Sequence, residues 1–206
     1  MNQLKTNITA FILSGGKSSR IGINKSFLLF DGKPRIQILI ELLDSIFSDV
    51  VISSNEPKMY EFLNKKIIED FYPGRGPLAG IHSALSSTTS ERNFIISCDM
   101  PFISKELIVY LTNYKTVSKI LLPKADGRNQ PLCGIYSKSV LPDVEKLLIE
   151  SSNPRSSLKG SVYELITHIQ SEIIDVTKTN FYHSDLFLNI NTHEDYSYAK
   201  SIFDKK

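Results

Sequence analysis

The sequence lacks the features that mark membrane-spanning and disulfide-bonded proteins. No stretch reaches the roughly 18 apolar residues of a membrane span, and Met1–Lys5 does not begin the long apolar run of a signal peptide. Cysteine is scarce, because only Cys98 and Cys133 are present and their spacing matches neither a C-x-x-C pair nor a zinc site. We therefore expect a cytoplasmic protein with no membrane contact, in which both thiols are small buried side chains.

A large charge of one sign is also absent. The 206 residues include 24 Lys and Arg against 22 Asp and Glu, which gives a formal net charge of +2. This excess is too small for general nucleic-acid binding. The histidines show no metal-ligand spacing, and no Ser/His/Asp or Cys/His arrangement for nucleophilic catalysis is evident. We therefore expect no nucleic-acid partner and look for function in local motifs.

Short apolar runs alternate with amphipathic helical patterns along the chain. Strands are predicted at Ile8–Leu13, Val50–Ser54, Lys66–Glu69, Phe94–Ser97, Ile120–Pro123, Pro131–Ile135 and Ile173–Val176. Helices are predicted at Arg35–Phe47, Pro57–Leu63, Leu78–Ser86, Lys105–Tyr114, Lys138–Ile149, Ser161–His168 and Glu194–Phe203. This alternation predicts one α/β domain over residues 1–206, with helices on both faces of a mostly parallel sheet.

A glycine-rich cationic loop follows the first predicted strand, and it is the most informative motif. Gly15 and Gly16 let backbone N–H groups approach an anion, and successive N–H groups form an anion-binding concavity. Arg20 and Lys25 add full positive charges. The spacing matches neither the P-loop nor the dinucleotide fingerprint, and the simpler alternative is a tight turn with two solvated cations. We interpret the loop as a triphosphate site.

A carboxylate ends another predicted strand. Asp99 follows the apolar run Phe94–Ile96, and Pro101 stops the strand two residues later. In α/β sheets such strand ends face the same crevice, where Mg²⁺ is held by one or two carboxylates and phosphate oxygens. The alternative is that Asp99 caps the next turn, although Ser104 is a better cap for the helix near Lys105.

Two polar groups follow the neighbouring strands. Asp70 begins a loop with glycines at 74 and 76, which would allow backbone to approach a flat base edge. Asp70 would accept from a sugar hydroxyl or a guanine edge, and Asn55 would touch the base or ribose. The competing explanation for Gly76 is a shaped connection, and the competing explanation for Asn55 is an ordinary turn residue.

Two later motifs contain polar or glycine residues in unusual places. Asn189 and Asn191 share one face of an extended segment, which the helix-capping pair Thr192 and Asp195 does not explain. Gly134 lies inside a predicted strand, where a glycine indicates close approach by a ligand or by backbone.

Taken together, these motifs resemble the molybdenum cofactor guanylyltransferases. The matches are collinear from Ile8 to Tyr196. They comprise Leu13-Ser14-Gly15-Gly16 with Arg20-Ile21-Gly22 and Lys25, then Gly76–Gly80, Cys98–Phe102, Gln130–Tyr136 and Asn189–Asp195. Departures from the family pattern are Asn24 for the usual Asp, His193 for Pro and Ser14 for Ala. With Asn24, a charge near the phosphates is missing.

The resemblance implies a three-layer, Rossmann-like nucleotidyltransferase fold and an enzyme that uses GTP and Mg²⁺. It implies GMP transfer to the terminal phosphate of molybdenum-molybdopterin, with release of pyrophosphate. By position it implies nucleotide binding at Leu13, Gly15, Gly16, Lys25, Asn55, Asp70, Gly76 and Asp99. Arg20, Lys25 and Asp99 would be catalytic, Asp99 would hold Mg²⁺, and Asn189 and Asn191 would lie near the acceptor.

Other functions remain open at this point. A cytidylyltransferase for the same cofactor and a nucleotidyltransferase for a sugar or alcohol phosphate share the chemistry. A non-catalytic GTP-binding protein of molybdoenzyme maturation belongs to a different class, and Lys25 together with Asp99 argues against it. Further expected partners are other molybdenum cofactor biosynthesis proteins and molybdoenzyme chaperones.

Overall fold

The computed structural model describes residues 6–15, 24–153 and 155–204. Its strands, numbered in chain order, are β1 (Thr6–Leu13), β2 (Leu29–Phe30), β3 (Lys33–Pro34), β4 (Phe47–Ser53), β5 (Lys66–Ile68), β6 (Arg92–Ser97), β7 (Ile120–Ala125), β8 (Arg128–Asn129), β9 (Cys133–Ser137) and β10 (Ser171–Asp175). Its α-helices are α1 (Arg35–Asp44), α2 (Pro77–Ser86), α3 (Lys105–Asn113), α4 (Leu141–Glu150), α5 (Val162–His168) and α6 (His193–Phe203). Short 3-10 helices cover Lys25–Phe27, Pro57–Leu63 and Lys138–Val140.

The main sheet has the strand order β10-β7-β9-β6-β1-β4-β5, and β8 pairs with β7. β1 is parallel to both β4 and β6, β4 is parallel to β5, and β10 is parallel to β7. Leu13 is in register with Ser53 of β4 and Ser97 of β6, so three carboxyl ends lie at one edge of the sheet. The predicted mostly parallel α/β fold is confirmed.

One predicted strand runs against the parallel pattern. β9 is antiparallel to both β6 and β7, whereas the alternation of strands and helices predicts parallel pairing. The cause is local, because β7 and β8 form a hairpin whose turn places Asp126 and Gly127 at positive φ. A short return of this kind reverses the chain, while a parallel pair needs a longer crossover.

The alternating side chains of β1 are buried on both faces of the sheet. Ala10 and Ile12 belong to a cluster that α1 and α3 complete, whereas Phe11 and Leu13 belong to one that α2, α4 and α5 complete. Because successive side chains of a strand point to opposite faces, a continuous apolar run makes a core on both sides. Full burial of a side chain such as Phe11 or Ile12 contributes roughly 1.5–3 kcal/mol, which helps to hold the three layers together.

Several predicted helices differ from the observed elements. The first ends at Asp44, because Phe47 already begins β4. Pro57–Leu63 is a 3-10 helix, and the predicted helix Lys138–Ile149 is a 3-10 turn followed by α4. Within the described ranges, no helix is both long enough and apolar enough to cross a membrane.

Candidate active site

A cleft of about 700 Å³ lies where β1, β4 and β6 end. Its lining includes residues that the sequence predicts to bind the nucleotide, namely Leu13, Gly15, Asn55, Asp70 and Gly76. These residues come from three segments of the chain, as expected for loops at the carboxyl edge of a parallel sheet. The individual binding roles of these residues stay predictions.

Asn55 and Asp70 form a reciprocal pair on the wall of this cleft. The Asn55 Nδ2 donates to Asp70 Oδ2 at 2.8 Å, and the Asp70 backbone N donates to Asn55 Oδ1 at 2.9 Å. These bonds fix the orientation of the Asn55 amide. They leave Asp70 Oδ1 without a hydrogen bond in the described part of the protein, available to a donor such as a guanine edge or a hydroxyl.

The loop that follows Asp70 is shaped by its glycines and fixed to α2. Gly76 has a φ of +69°, which a residue with a Cβ rarely adopts, and α2 begins at the next residue. The backbone N of Phe71 donates to the Ser83 side chain on α2 at 2.9 Å. The loop therefore has a defined path along the cleft, as both a binding loop and a shaped connection would.

Lys25, Asp99 and Asn191 converge beside the cleft, whose lining includes Asn24, the residue before Lys25. Lys25 Nζ lies 4.0 Å from Asp99 Oδ2 and donates to Asn191 Oδ1 at 2.7 Å. The backbone N of Ile190 donates to the Asp99 carbonyl at 2.9 Å, which fixes the C-terminal segment against the strand end. A cation, a carboxylate and an amide from distant parts of the chain thus form one cluster.

One carboxylate oxygen of Asp99 lacks a hydrogen-bond partner among the described residues. Its Oδ1 is buried and has no hydrogen-bond partner within the described residues. A buried acceptor without a partner costs free energy, and a cation would remove that cost. Ser104 caps α3 by accepting from the backbone N of Leu107, so Asp99 is not needed as a cap. The described part of the chain holds no cluster of three or more His, Cys, Asp or Glu residues suited to a metal.

Arg35 lies close to this cluster and was missed by the sequence analysis. It is 1% exposed at the start of α1, and its Nη2 donates to the carbonyl of Met100, next to Asp99. Burial lowers the pKa of Arg35 to about 10, while nearby Cys98 and Asp99 oppose that shift. Its position four residues before the buried Leu39 places it on the inner face of α1, but nothing in the sequence indicates its contact with Met100.

The other predicted site residues have different outcomes. Asn189 donates from Nδ2 to the Phe187 carbonyl at 3.0 Å and makes no described contact with Lys25 or Asp99. Gly16 and Arg20 lie outside the described residues. A Cβ at Gly134 would lie 2.6 Å from the Leu121 carbonyl oxygen, so the close approach that this glycine indicates is by backbone.

Comparison with known proteins shows which family the chain resembles. The MobA-like NTP transferase domain matches residues 10–166. A probable molybdenum cofactor guanylyltransferase of Clostridium perfringens (strain SM101) is 40% identical over 189 residues, covering 91% of this chain and 93% of that protein. One from Carboxydothermus hydrogenoformans is 34% identical, covering 97% and 98%.

A solved structure agrees with these relatives. Molybdopterin-guanine dinucleotide biosynthesis protein A from Archaeoglobus fulgidus is 25% identical and superposes with a TM-score of 0.81, covering 97% of this chain and 100% of that one. The fold, the carboxyl-edge cleft and the relatives all agree with the sequence motifs. The chain therefore belongs to the MobA-like NTP transferases and, among them, to the molybdenum cofactor guanylyltransferases.

Proposed function

We propose that the protein transfers GMP from GTP to the terminal phosphate of molybdenum-molybdopterin, which yields the guanine dinucleotide form of the cofactor and pyrophosphate. The observation that carries this proposal is the cluster of Lys25, Asp99 and Asn191 beside a cleft lined by Gly15, Asn55 and others. The names of the relatives favour guanine over cytosine as the base. They also favour molybdopterin over a sugar phosphate as the acceptor.

The reaction needs positioned charges rather than a protein nucleophile. An oxygen of the acceptor phosphate forms a bond to the α-phosphorus of GTP, and the bond from that phosphorus to the bridging oxygen of pyrophosphate breaks. Two anions must be held close together while negative charge develops on the leaving group. In this proposal Lys25, whose Nζ lies 4.0 Å from Asp99, offsets that charge together with Arg20 and the N–H groups of the Gly15-Gly16 loop.

Asp99 is the proposed ligand for Mg²⁺. Its buried Oδ1 has no hydrogen-bond partner among the described residues, which supports this assignment. Mg²⁺ commonly takes one or two protein carboxylates, while phosphate oxygens and waters complete its shell. When bound, the ion would polarise the phosphoryl oxygens. Asn191 would then orient Lys25, through the 2.7 Å hydrogen bond that it accepts.

We assign the guanosine end to the part of the cleft lined by Asn55 and Asp70. The pairing of Asn55 with Asp70 leaves a carboxylate oxygen for the guanine edge or ribose, and Leu13 and Gly76 complete the proposed nucleotide contacts. Asn189 and Asn191 are the proposed acceptor-side residues. We also propose that one domain over residues 1–206 does this work in the cytoplasm, with other cofactor-biosynthesis proteins and molybdoenzyme chaperones as partners.

Pyrophosphate release tests the proposal. The purified protein is incubated with GTP and Mg²⁺ in three ways: alone, with molybdenum-molybdopterin, or with a sugar phosphate. We expect release only when the acceptor is present. Release without the acceptor would indicate hydrolysis, release with a sugar phosphate instead would move the chain to another nucleotidyltransferase group, and no release at all would favour a GTP-binding maturation factor.

A further inference from the structure

A buried network of side chains joins the two described ends of the glycine-rich loop. Ser14 follows β1 and Ser26 lies in the 3-10 turn after the loop, and their Oγ atoms are 2.5 Å apart. Ser26 Oγ also lies 3.2 Å from the Sγ of Cys98, the residue before Asp99. Both serines are 1% exposed and Cys98 is 6% exposed. The three segments that flank the proposed phosphate site are therefore joined by contacts between buried side chains.

The Tyr60 hydroxyl lies at the centre of this network. Tyr60 is 0% exposed and comes from the 3-10 helix Pro57–Leu63, outside the nucleotide motifs. Its hydroxyl accepts from Ser14 Oγ at 2.8 Å and from Asn24 Nδ2 at 3.0 Å, and it donates to Ser26 Oγ at 3.4 Å. The Tyr60 ring packs against Phe27 with centroids 5.2 Å apart. Tyr60 therefore both packs in the core and connects three polar side chains through its hydroxyl.

Asn24 connects the network to Lys25. Its Oδ1 accepts from the backbone N of Ser26 at 3.1 Å and caps the turn that begins at Lys25, while its Nδ2 donates to Tyr60. An ionised aspartate at this position would have no proton to donate. The Asn24 amide does have protons, and its Nδ2 donates to the Tyr60 hydroxyl, whose own proton is donated to Ser26 Oγ.

We propose that Tyr60 is a positioning residue for the nucleotidyl transfer, acting through Lys25. This inference rests on the proposed function. Lys25 stands between Asn24 and Ser26, and the Tyr60 hydroxyl binds both neighbours. Without that hydroxyl, the Asn24 amide and the Ser14 hydroxyl lose a buried partner, and the backbone that carries Lys25 is less fixed relative to Asp99. Small misplacement of a charge that acts at the transition state reduces the rate strongly.

The test is Tyr60→Phe, which removes only the hydroxyl, made in the unmodified protein and in Lys25→Ala. We expect kcat/KM for GTP to fall about tenfold in the unmodified background, in line with the loss of one buried hydrogen bond. In Lys25→Ala we expect a further loss of about twofold or less, because residues that act as one unit are not additive. An equal loss in both backgrounds, or no loss in the first, would overturn the inference.

Position 24 gives a second test that does not depend on the stability of Tyr60→Phe. In Asn24→Asp the carboxylate still caps the turn and can accept the single Tyr60 proton, so the link to position 24 persists with its direction reversed. Tyr60 then no longer donates to Ser26 Oγ, which keeps its 2.5 Å contact with Ser14 Oγ. In Asn24→Leu both contacts are lost. We expect the first variant to stay within about threefold of the unmodified protein and the second to lose about tenfold. Equal losses would contradict a role for the hydrogen bond.

Tyr182→Phe is the matched control, since its hydroxyl donates to Asp126 at 2.6 Å on the surface, among residues given no part in the reaction. It should keep full activity, and thermal melting of every variant separates unfolding from misplacement of Lys25.

If the unmodified protein releases no pyrophosphate from GTP and acceptor, the proposed function fails and the inference with it. If that protein is active and Tyr60→Phe equals it, only the inference fails.

Discussion

Lys25 donates a hydrogen bond from Nζ to the Oδ1 of Asn191 at 2.7 Å, across 166 positions of the chain. The backbone of Asn191 is itself held, because its N donates to Asp195 Oδ2 at 2.7 Å. Asp195 and Thr192 form the capping box of α6. A helix cap at one end of the chain therefore orients the amide that holds a loop lysine near the other end.

Replacing Lys25 by Ala removes the positive charge next to Asp99. A charge-assisted hydrogen bond contributes about 1.5–3 kcal/mol, so kcat/KM for GTP should fall roughly ten- to a hundredfold. Lys33→Ala is the matched control, since Lys33 forms an exposed pair with Glu41 at 3.0 Å and lies in β3. Steady-state pyrophosphate release compares the two variants. A Lys25→Ala enzyme as efficient as the control would contradict the assigned role.

Asp99→Asn keeps the shape of the side chain and removes its charge. The Asp99 carbonyl that accepts from Ile190 is unchanged, so we expect melting close to that of the unmodified protein. Because a metal that polarises phosphoryl oxygens contributes several kcal/mol at the transition state, the single-turnover rate should fall on the order of a hundredfold, and GTP binding much less.

Asp143→Asn is the control for Asp99→Asn, because Asp143 is a surface residue that lies 3.7 Å from Lys119. Single turnovers at several Mg²⁺ concentrations compare the two variants with the unmodified protein. Normal turnover of Asp99→Asn at low Mg²⁺ would move the search for the metal site to Asn189 and Asn191.

Asp195 should make stability depend on pH in the acid range. The backbone N–H of Asn191, and also that of Thr192, hold the pKa of the Asp195 carboxyl below its ordinary 3.8. A lowered pKa means that the contribution is complete above about pH 3.8 and is lost as pH falls through the lower value. Asp195→Asn should therefore melt below the unmodified protein at pH 7, by the equivalent of ~1 kcal/mol or less, and the gap should narrow as the pH falls below 3.8. A gap of constant size would show that the charge is not involved.

Gly134→Ala should destabilise the fold without touching the site. The added Cβ would lie 2.6 Å from the Leu121 carbonyl oxygen and 2.5 Å from Leu122 Cδ2. The carbonyl oxygen belongs to the backbone of β7, which cannot move aside as the end of a flexible side chain can. Overpacking of this kind costs about 1–3 kcal/mol. Chemical denaturation gives the free energy of unfolding, and an unchanged midpoint would show that β7 and β9 separate easily.

The sequence predicts the elements well where the pattern is local. The apolar run Ile8–Leu13 predicts a buried strand, and β1 spans Thr6–Leu13 in the middle of the sheet. The direction of β9 was not predictable from helix and strand periods, because it depends on the turn at Asp126 and Gly127. Local patterns give the type of an element, whereas its pairing depends on the connection.

The same limit applies to the site. Gly15, Asp99 and Asn191 come from motifs that are visible in the sequence, and the structure adds the 4.0 Å approach of Asp99 to Lys25. Arg35 and Tyr60 are different, since the pattern shows an ordinary helix start and an aromatic residue in a short helical run. Their importance comes from tertiary partners, Met100 for Arg35 and Ser14 for Tyr60, which no spacing along the chain reveals.

Transfer of labelled GMP tests the central claim most directly. GTP labelled at the α-phosphorus is offered with Mg²⁺ and molybdenum-molybdopterin, alone and in competition with each of the other three nucleoside triphosphates. We predict that the label moves to the cofactor with one pyrophosphate released per transfer, and that CTP competes poorly because a site that hydrogen-bonds guanine is left with unpaired groups by cytosine. Equal transfer from CTP, or label recovered only as free GMP, would contradict the assignment.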